Sequence, residues 1–433
     1  MTMNLIIVTV NSRSPLMSWS RRRSDRWSNP WRSAFAVIGP GLVVMLADTD
    51  AGSVITAAQS GAQWGYKLLL LQDVLIPILY IIQELTVRLG IVTGEGHGEL
   101  IAKRFGRGFA WLSVGTLALS CLGALLTELS GMAGVGLLFG VPRWVTMAVL
   151  VSGLIAMVWT ASYTGVERVA LAVGAFEFAF LFVAFRTHQP LGPLLHQSLQ
   201  IPFHDPGYLY LAAANVGAVI MPWMVFYQQS AVVDKGLRLD QLRMARIDTA
   251  IGAVVTQLIM AAVLVATAAT IGRSNPHAPL DTVQEIADAL TPFLGQSTGR
   301  LLFALGMSGA AAVATIVVSL TAARGVGEVM GFKHSLEHHP REAPWFYGIF
   351  TALLVLGGVL VASNVNLVSL GVAMEVMNAA LLPIVLGFLY LLARHALPGP
   401  LRLRGPYAAF VLGVIVMTAG FGLYAAINGI AVA

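Results

Sequence analysis

Charged residues are scarce in this sequence, and that shortage excludes a soluble globular fold. Asp, Glu, Lys and Arg make up 11% of the 433 residues, and hydrophobic residues make up 57%, whereas a soluble domain carries about 25% charged residues. Several apolar stretches exceed the roughly 18 to 20 residues needed to cross a hydrocarbon layer ~30 Å thick. The chain is therefore predicted to be an all-α integral membrane protein.

Three other features are scarce or absent. The sequence has one cysteine, no histidine in the middle of an apolar stretch and no phosphate-binding loop. The single cysteine, Cys121, lies in an apolar stretch, so no disulfide can form within the chain. The nine histidines all fall in loops or at the ends of apolar stretches. No Gly-rich loop with its Lys is present, so nothing indicates nucleotide hydrolysis as an energy source. The net charge of +5 is scattered over the loops, which is typical of membrane topology and not of nucleic-acid binding.

The apolar stretches predict eleven transmembrane helices in one membrane domain, residues 34–430, preceded by a basic cytoplasmic segment, residues 1–33. The predicted spans are 34–62, 67–92, 109–139, 143–163, 165–187, 207–235, 248–272, 299–329, 344–363, 366–394 and 406–430.

The basic residues predict the orientation of these spans. Of the 26 Lys and Arg residues, 21 lie in the N-terminal segment or at the span ends on its side. By the positive-inside rule, the N-terminus is cytoplasmic and the C-terminus is outside. The predicted location is the plasma (inner) membrane. The exceptions are Lys67, Arg143, Arg186, Arg273 and Arg300.

Two predicted spans are interrupted by polar residues or proline. The first contains a polar hexapeptide, residues 48–53, with two carboxylates between apolar halves. The sixth contains Gly217 and the tripeptide Met221-Pro222-Trp223, where Pro222 removes a backbone donor and should open the helix. Breaks in spans one and six are what two five-helix inverted repeats plus one extra helix would produce, with the substrate between the broken segments.

The carboxylates of the first break are the leading candidates for a cation site. Asp50 is the strongest, because a hard cation needs oxygen anions and a carboxylate at mid-membrane has little other justification. Asp48 either faces the same cavity or caps the first half-helix. Thr49 is a further candidate for the lining. In span six, Ala218 offers a backbone carbonyl that an opened helix leaves free.

Two more carboxylates lie alone in apolar spans. Glu128 is midway along span three, with no Lys or Arg within seven residues. Glu375 lies in span ten, with Asn378 three residues later on the same helical face. For each residue two readings stay open: a neutral side chain in a packing hydrogen bond, or a wall of the ion cavity.

These residues resemble the Nramp family of divalent metal transporters, which have a LeuT-type fold. The family signature Asp-Pro-Gly-Asn falls on Asp50-Ala51-Gly52-Ser53, and Met-Pro-His falls on Met221-Pro222-Trp223. The stretches 59–66 and 88–94 are also similar. The resemblance implies that Asp50 and Met221 bind the metal and that Ser53 offers a shorter oxygen than the family's Asn. Glu375 is near a position where the family carries an amide.

Several departures resemble one branch, the Nramp-related magnesium transporters. They are the paired Asp48 and Asp50, the segments 222–230 and 378–384, and Trp223 at a family histidine. The resemblance to this branch implies Mg²⁺ and Mn²⁺ transport without proton coupling. Met221 is a departure from the branch, because its members tend to lack that thioether.

The favoured function is therefore a secondary transporter that imports Mg²⁺ and/or Mn²⁺ by alternating access without proton coupling. A proton-coupled Mn²⁺/Fe²⁺ importer of the usual Nramp type and an organic-solute carrier on the same fold are the alternatives. The acidic residues of the break in span one would repel the carboxylate of an organic solute. This repulsion weighs against the organic-solute carrier. An enzyme is not expected, because no nucleophile–base pair or hydrolase motif lies in the spans. The expected partners are the transported ion and the lipid bilayer, with no cofactor, nucleic acid or obligate protein partner.

Overall fold

The chain is a bundle of α-helices in its computed structural model, which describes residues 39–160, 163–187, 189–274, 280, 282–290, 295–336, 338–363 and 367–430. The predicted basic segment 1–33 lies outside the described residues, as does the start of the first predicted span. No β-strand occurs in the described ranges, in agreement with the predicted all-α class. The helices are α1 (Pro40–Asp48), α2 (Ala51–Trp64), α3 (Leu69–Thr93), α4 (His97–Phe105), α5 (Arg107–Leu138), α6 (Arg143–Thr160), α7 (Tyr163–Gly174), α8 (Phe178–Arg186), α9 (Leu191–Ser198), α10 (Pro206–Val219), α11 (Pro222–Asp234), α12 (Leu242–Ala269), α13 (Ile271–Ser274), α14 (Val283–Leu290), α15 (Gln296–Met330), α16 (Pro344–Ala362), α17 (Leu367–His395) and α18 (Gly405–Ile430).

The helices are long and apolar enough to form a multi-pass membrane protein. Among the described residues there are ten candidate spans, or eleven if the bent pair α1 and α2 is one span. Each candidate lies at one of the positions predicted from the sequence. The outward faces expose large apolar side chains such as Trp144, Phe185 and Met417, which suits contact with lipid. The inverted-repeat relation between the two halves stays a prediction.

The first predicted break is confirmed between α1 and α2, whose axes are bent by 49°. Asp50 ends the break in an extended conformation, and its side chain accepts a hydrogen bond from the backbone N–H of Ser53 at 2.7 Å. A carboxylate in this N-cap position satisfies one of the free donors at the start of a helix. The same residue that interrupts the span therefore starts its second half.

The second break separates α10 from α11 at Ile220 and Met221. Met221 is extended and Pro222 occupies the first turn of α11, a position where the missing proline N–H costs nothing. Gly217, predicted as part of this break, instead lies within the regular helix α10. A Cβ atom at Gly217 would overlap the backbone oxygen of Glu375. That glycine is therefore needed for the close packing of α10 against α17, and the predicted role in the break was wrong.

The broken helices occupy the centre of the bundle. Helix α12 packs against both α1 and α2, helix α17 packs against α10, and helix α3 packs against α11. Nearly every side chain of α10 and α11 is buried inside the protein. This arrangement brings both breaks together in the interior, enclosed by α5, α12, α15 and α17.

Short helices lie between predicted spans: α9 between the fifth and sixth, and α14 between the seventh and eighth. Helix α14 lies against the bundle, because Val283, Ile286 and Ala287 are buried. Just before it, Leu280 exchanges two backbone hydrogen bonds with the Gln59 side chain of α2. The connection between α12 and α15 is thereby tied to the second half of the first span.

Candidate metal-binding site

Asp50 has one carboxylate oxygen without a hydrogen-bond partner at the first break, and its side chain is shielded completely from solvent. One carboxylate oxygen, Oδ1, accepts the Ser53 backbone hydrogen bond at 2.7 Å. The other, Oδ2, has no hydrogen-bond partner. An ionised carboxylate can accept at both oxygens, and a buried one without partners is costly. Asp50 therefore keeps one oxygen available for a cation.

Ser53 connects the two breaks. Its hydroxyl donates a hydrogen bond to the backbone oxygen of Ala218 at 3.1 Å, so the start of α2 touches the end of α10. A carbonyl oxygen has two lone pairs, and the second lone pair of Ala218 stays available. The structure thus places Asp50, Ser53 and Ala218, three of the candidate residues, beside one another.

Glu128 reaches the same place from the middle of α5. Its Oε2 accepts a hydrogen bond from the backbone N–H of Ala51 at 3.0 Å, next to Asp50. Its Oε1 has no partner, and the residue is completely buried. Glu128 and Asp50 are close enough for their side chains to interact directly. One oxygen makes a packing hydrogen bond and the other is free, and the role of Glu128 in an ion cavity stays a prediction.

Glu375 and Asn378 form the wall contributed by α17. The Asn378 amide donates to Glu375 Oε2 at 3.0 Å and its oxygen accepts from the Ser120 hydroxyl at 2.7 Å. Glu375 Oε1 is unpartnered and lies against Gly52, where a Cβ atom would overlap it. The predicted shared face of Glu375 and Asn378 is confirmed. A side chain at residue 52 would have to displace the Glu375 carboxylate.

Asp48 and Thr49 lie on the other side of the break, toward α12. Asp48 is the last residue of α1, and its Oδ2 accepts from the Thr256 hydroxyl at 3.4 Å, while Oδ1 has no partner. The Thr49 and Thr256 hydroxyls are 2.6 Å apart. No backbone N–H of α1 bonds to Asp48 among the described residues, so the capping alternative for Asp48 was wrong.

Met221 is completely buried at the second break. Its sulfur accepts a hydrogen bond from the indole Nε1 of Trp223 at 3.0 Å. Trp223 is likewise fully buried. The thioether that the resemblance implies as a metal ligand is therefore oriented by the neighbouring Trp223.

Sequence reasoning missed one carboxylate, Glu177. It lies in a single 3-10 turn, Ala175–Glu177, between α7 and α8, and is completely buried. Thr49, Asp48 and Asp50 are its polar and charged neighbours. The signal was present in the sequence, because Glu177 is an isolated acid in an apolar span, as Glu128 and Glu375 are.

The five carboxylates of the breaks face no ion-pair partner in the described part of the chain. The recorded salt bridges involve none of Asp48, Asp50, Glu128, Glu177 and Glu375. Within the same ranges, no three His, Cys, Asp or Glu side chains converge closely enough to hold an ion by themselves. Hydroxyls, carbonyl oxygens, the thioether or water must complete any coordination shell. The arrangement can hold a partly hydrated cation.

Ion pairs join the helices at the end of the bundle where α3, α11 and α15 terminate. Two pairs lie four residues apart on one helix, Glu84 with Arg88 on α3 and Arg324 with Glu328 on α15. Each gains a partner from another helix: Arg246 binds Glu84 at 2.7 Å, and Arg324 also binds Asp234. These links hold α3 to α12 and α11 to α15.

Helix α1 is anchored at the same end by Asp248 of α12. One oxygen of Asp248 accepts from the backbone N–H of Gly41 at 2.8 Å and of Gly39 at 3.3 Å. Negative charge is favourable at a helix N-terminus because the free N–H groups point toward it. Nearby, burial lowers the pKa of His97 to about 4, so its ring is neutral at physiological pH. His97 Nδ1 lies 2.9 Å from Gln229 Oε1.

Comparisons with known proteins agree with this architecture. Residues 41–428 match the family model for Nramp, the natural resistance-associated macrophage protein-like family. One relative is the divalent metal cation transporter MntH of Mesorhizobium japonicum, 26% identical over 309 residues, which are 68% of this chain and 67% of the relative.

Two solved structures have the same fold. The manganese transporter of Eremococcus coleocola, in complex with an aromatic bis-isothiourea compound, has a TM-score of 0.73 at 18% identity and covers 93% of this chain and 88% of its own. MhsT in complex with L-phenylalanine has a TM-score of 0.62 at 13% identity, covering 93% and 99%. These likenesses confirm the predicted LeuT-type fold.

Proposed function

The chain belongs to the Nramp family, and we propose that it is a secondary transporter of Mg²⁺ and Mn²⁺ whose cargo binds between the two helix breaks. As a divalent metal cation transporter of the Nramp type, it is a membrane carrier and not an enzyme. The metal is its substrate. The observation that carries the proposal is the unpartnered oxygen of the buried Asp50 at the junction of α1 and α2.

The chemistry of the surrounding groups supports a hard, partly hydrated cation. The Asp50 carboxylate, the Ala218 carbonyl and the Ser53 hydroxyl are oxygen ligands, with Glu128 and Glu375 adding negative charge. Mg²⁺ keeps several waters and is commonly held by one or two carboxylates. Met221 is a soft group at the second break, and softness favours Mn²⁺ over Mg²⁺. An acidic site of this kind would repel the carboxylate of an organic solute such as an amino acid.

The burial of the site supports transport by alternating access. Asp48, Asp50, Glu128, Glu375 and Met221 are each at most 1% exposed, so solvent reaches the site from neither end in this conformation. Release then requires movement of a half-helix. We propose that α1 moves, because it is the short half-helix before the break and its N-terminus is held by hydrogen bonds to the Asp248 side chain. The proposed orientation has the N-terminus cytoplasmic and the C-terminus outside.

Uptake by purified protein in liposomes tests this function. Vesicles containing the full chain and a metal-sensitive dye should take up Mn²⁺ and should also take up Mg²⁺ when it is supplied in its place. Protein-free vesicles are the control. Uptake of neither metal, by protein that is shown to be folded, would contradict the proposed function.

Metal uptake is expected to proceed without stoichiometric proton entry. Trp223, which cannot carry a proton, stands at a family histidine, and no histidine lies at mid-depth in a span. His97 is held neutral by burial, with its pKa lowered to about 4. Liposomes with a pH-sensitive dye and a negative-inside potential should show metal uptake without lumenal acidification, while a protonophore acidifies them. Acidification that depends on the metal would favour the proton-coupled Mn²⁺/Fe²⁺ importer instead.

The Met221→Ala substitution is expected to weaken Mn²⁺ uptake more than Mg²⁺ uptake. Loss of the thioether removes a ligand that Mn²⁺ tolerates and Mg²⁺ avoids. We expect the Mn²⁺-to-Mg²⁺ selectivity ratio to fall about tenfold, which corresponds to roughly 1.4 kcal/mol. Competition between the two metals in the uptake assay measures it. Met224→Ala, which removes another completely buried thioether from α11, is the matched control. An unchanged ratio in Met221→Ala would show that Met221 only packs beside Trp223.

A further inference from the structure

Glu177 is a buried acid that is not part of the Asp50 site. Both of its carboxylate oxygens lack a hydrogen-bond partner, and the side chain is completely shielded from solvent. It is the last residue of the 3-10 turn that lies between α7 and α8. Immediately before that turn, Gly174 packs on Leu46 of α1. The chain therefore brings Glu177 close to the end of α1, and no salt bridge among the described residues reaches its carboxylate.

The groups that surround Glu177 are oxygen ligands. Thr49 lies beside it, with Asp48 and Asp50 close enough for their charges to interact with it. Asp48 also has an oxygen, Oδ1, without a partner. The hydroxyls of Thr49 and Thr256, 2.6 Å apart, lie between α1 and α12 on this side of the break. Glu128 and Glu375, in contrast, approach Ala51 and Gly52 on α2. Glu177 therefore lies toward Asp48 and Thr49, whereas Glu128 and Glu375 contact the start of α2.

The charge of the five acids leaves room for more than one cation. If all five acids are ionised, a single divalent ion at Asp50 offsets two of their charges and leaves three in a medium where unpaired charge is costly. The salt bridges of the described chain supply no basic partner to any of them. A second divalent ion would leave a single uncompensated charge. Mg²⁺ and Mn²⁺ are suited to a site of one or two carboxylates completed by hydroxyls and water.

We propose that Glu177 and Asp48, with the Thr49 hydroxyl, form a second site for a divalent cation beside the Asp50 site. This inference rests on the proposed function of Asp50. The second site has fewer protein ligands and binds more weakly. It lies against α1, the half-helix proposed to move. An ion held there would repel the ion at Asp50 and promote its release, as adjacent ions do in multi-site pores.

Counting bound Mn²⁺ tests the second site. Free Mn²⁺ is measured by electron paramagnetic resonance while the full chain in detergent is titrated. Wild type should bind about two ions per chain, one tightly and one weakly. Glu177→Gln, which keeps the shape and removes the charge, should bind about one, with the tight site unchanged within roughly twofold. The control Glu285→Gln removes an exposed carboxylate on α14 and should bind as wild type.

Two further variants separate the possible outcomes. Asp50→Asn should lose the tight ion. If Glu177→Gln fails to fold, Glu177→Asp serves instead, because it keeps the charge on a shorter side chain. It should lower the affinity for the second ion by about tenfold. A single ion in wild type, lost in Asp50→Asn, would overturn the second site and leave the proposed function intact. A second ion that Glu177→Gln and Glu177→Asp bind with wild-type affinity would also overturn it. Failure of wild-type liposomes to take up Mn²⁺ would instead contradict the proposed function.

Discussion

Asp50→Ala is expected to abolish uptake of Mn²⁺ and Mg²⁺ in liposomes. The substitution removes the unpartnered oxygen at the break and its negative charge. Substitution of residues that only hydrogen-bond to a metal ligand lowers metal affinity by roughly 10- to 100-fold. Loss of the ligand itself should therefore lower it by at least about 100-fold. Initial rates of uptake at subsaturating metal measure the loss.

The interpretation of Asp50→Ala requires a second variant, because Asp50 also caps α2. Alanine loses that cap, at a cost of about 1 kcal/mol, and a reduced amount of folded protein would lower uptake for a trivial reason. Asparagine is as good an N-cap as aspartate but carries no charge. Asp50→Asn should therefore match wild type in thermal unfolding and still fail to transport. Transport by Asp50→Asn at the wild-type rate would contradict the assignment.

Gly217→Ala is expected to destroy the site by separating two helices. A Cβ atom at this position would overlap the backbone oxygen of Glu375 and lie 2.8 Å from the backbone N of Ala379. Since both obstacles are backbone atoms, α10 and α17 must move apart. Overpacking of this kind costs about 1–3 kcal/mol, and sometimes more. The shift would also displace Glu375 from Gly52. We expect a lower yield of folded protein and at least about tenfold slower uptake per folded molecule.

Gly387→Ala is the matched control for this effect. Gly387 lies on α17, the helix that Gly217 touches, but no atom comes within 4 Å of a Cβ placed there. The same glycine-to-alanine change should therefore leave uptake unchanged and stabilise the helix slightly, because alanine has the higher helix propensity. Size-exclusion chromatography and thermal unfolding report the folded fraction of both variants. Equal behaviour of the two variants would show that the contact between α10 and α17 is not needed.

The sequence predicted the parts of this fold that depend on local composition. Apolar stretches located the spans, since a bilayer imposes a minimum length on each helix. The first break was visible because Asp50 and its polar neighbours interrupt an apolar helix, and Pro222 marked the second break. Asp50, Glu128 and Glu375 could be chosen as candidates because an isolated carboxylate in a span is costly.

Features that depend on contacts between distant segments could not be predicted. Gly217 was placed in the break because glycine tolerates irregular backbone conformations. Its contact with Glu375 depends instead on how α10 packs against α17, which the sequence does not reveal. Asp248 has an ordinary position near the start of a helix, and the structure shows that it binds the N-terminus of α1. Glu177 carried the same signal as Glu128, yet its proximity to Thr49 follows from the packing of α7 and α8 near α1.

The position of bound Mn²⁺, measured by anomalous X-ray scattering from crystals of the full chain, tests the central claim most directly. We expect the strongest anomalous peak at the junction of α1 and α2, within about 2.0–2.6 Å of Asp50 Oδ2, as for other oxygen-bound divalent ions. Crystals of Asp50→Asn grown with the same Mn²⁺ should lack that peak. A strongest peak away from both helix breaks, or an undiminished peak in Asp50→Asn, would contradict a cargo site at Asp50.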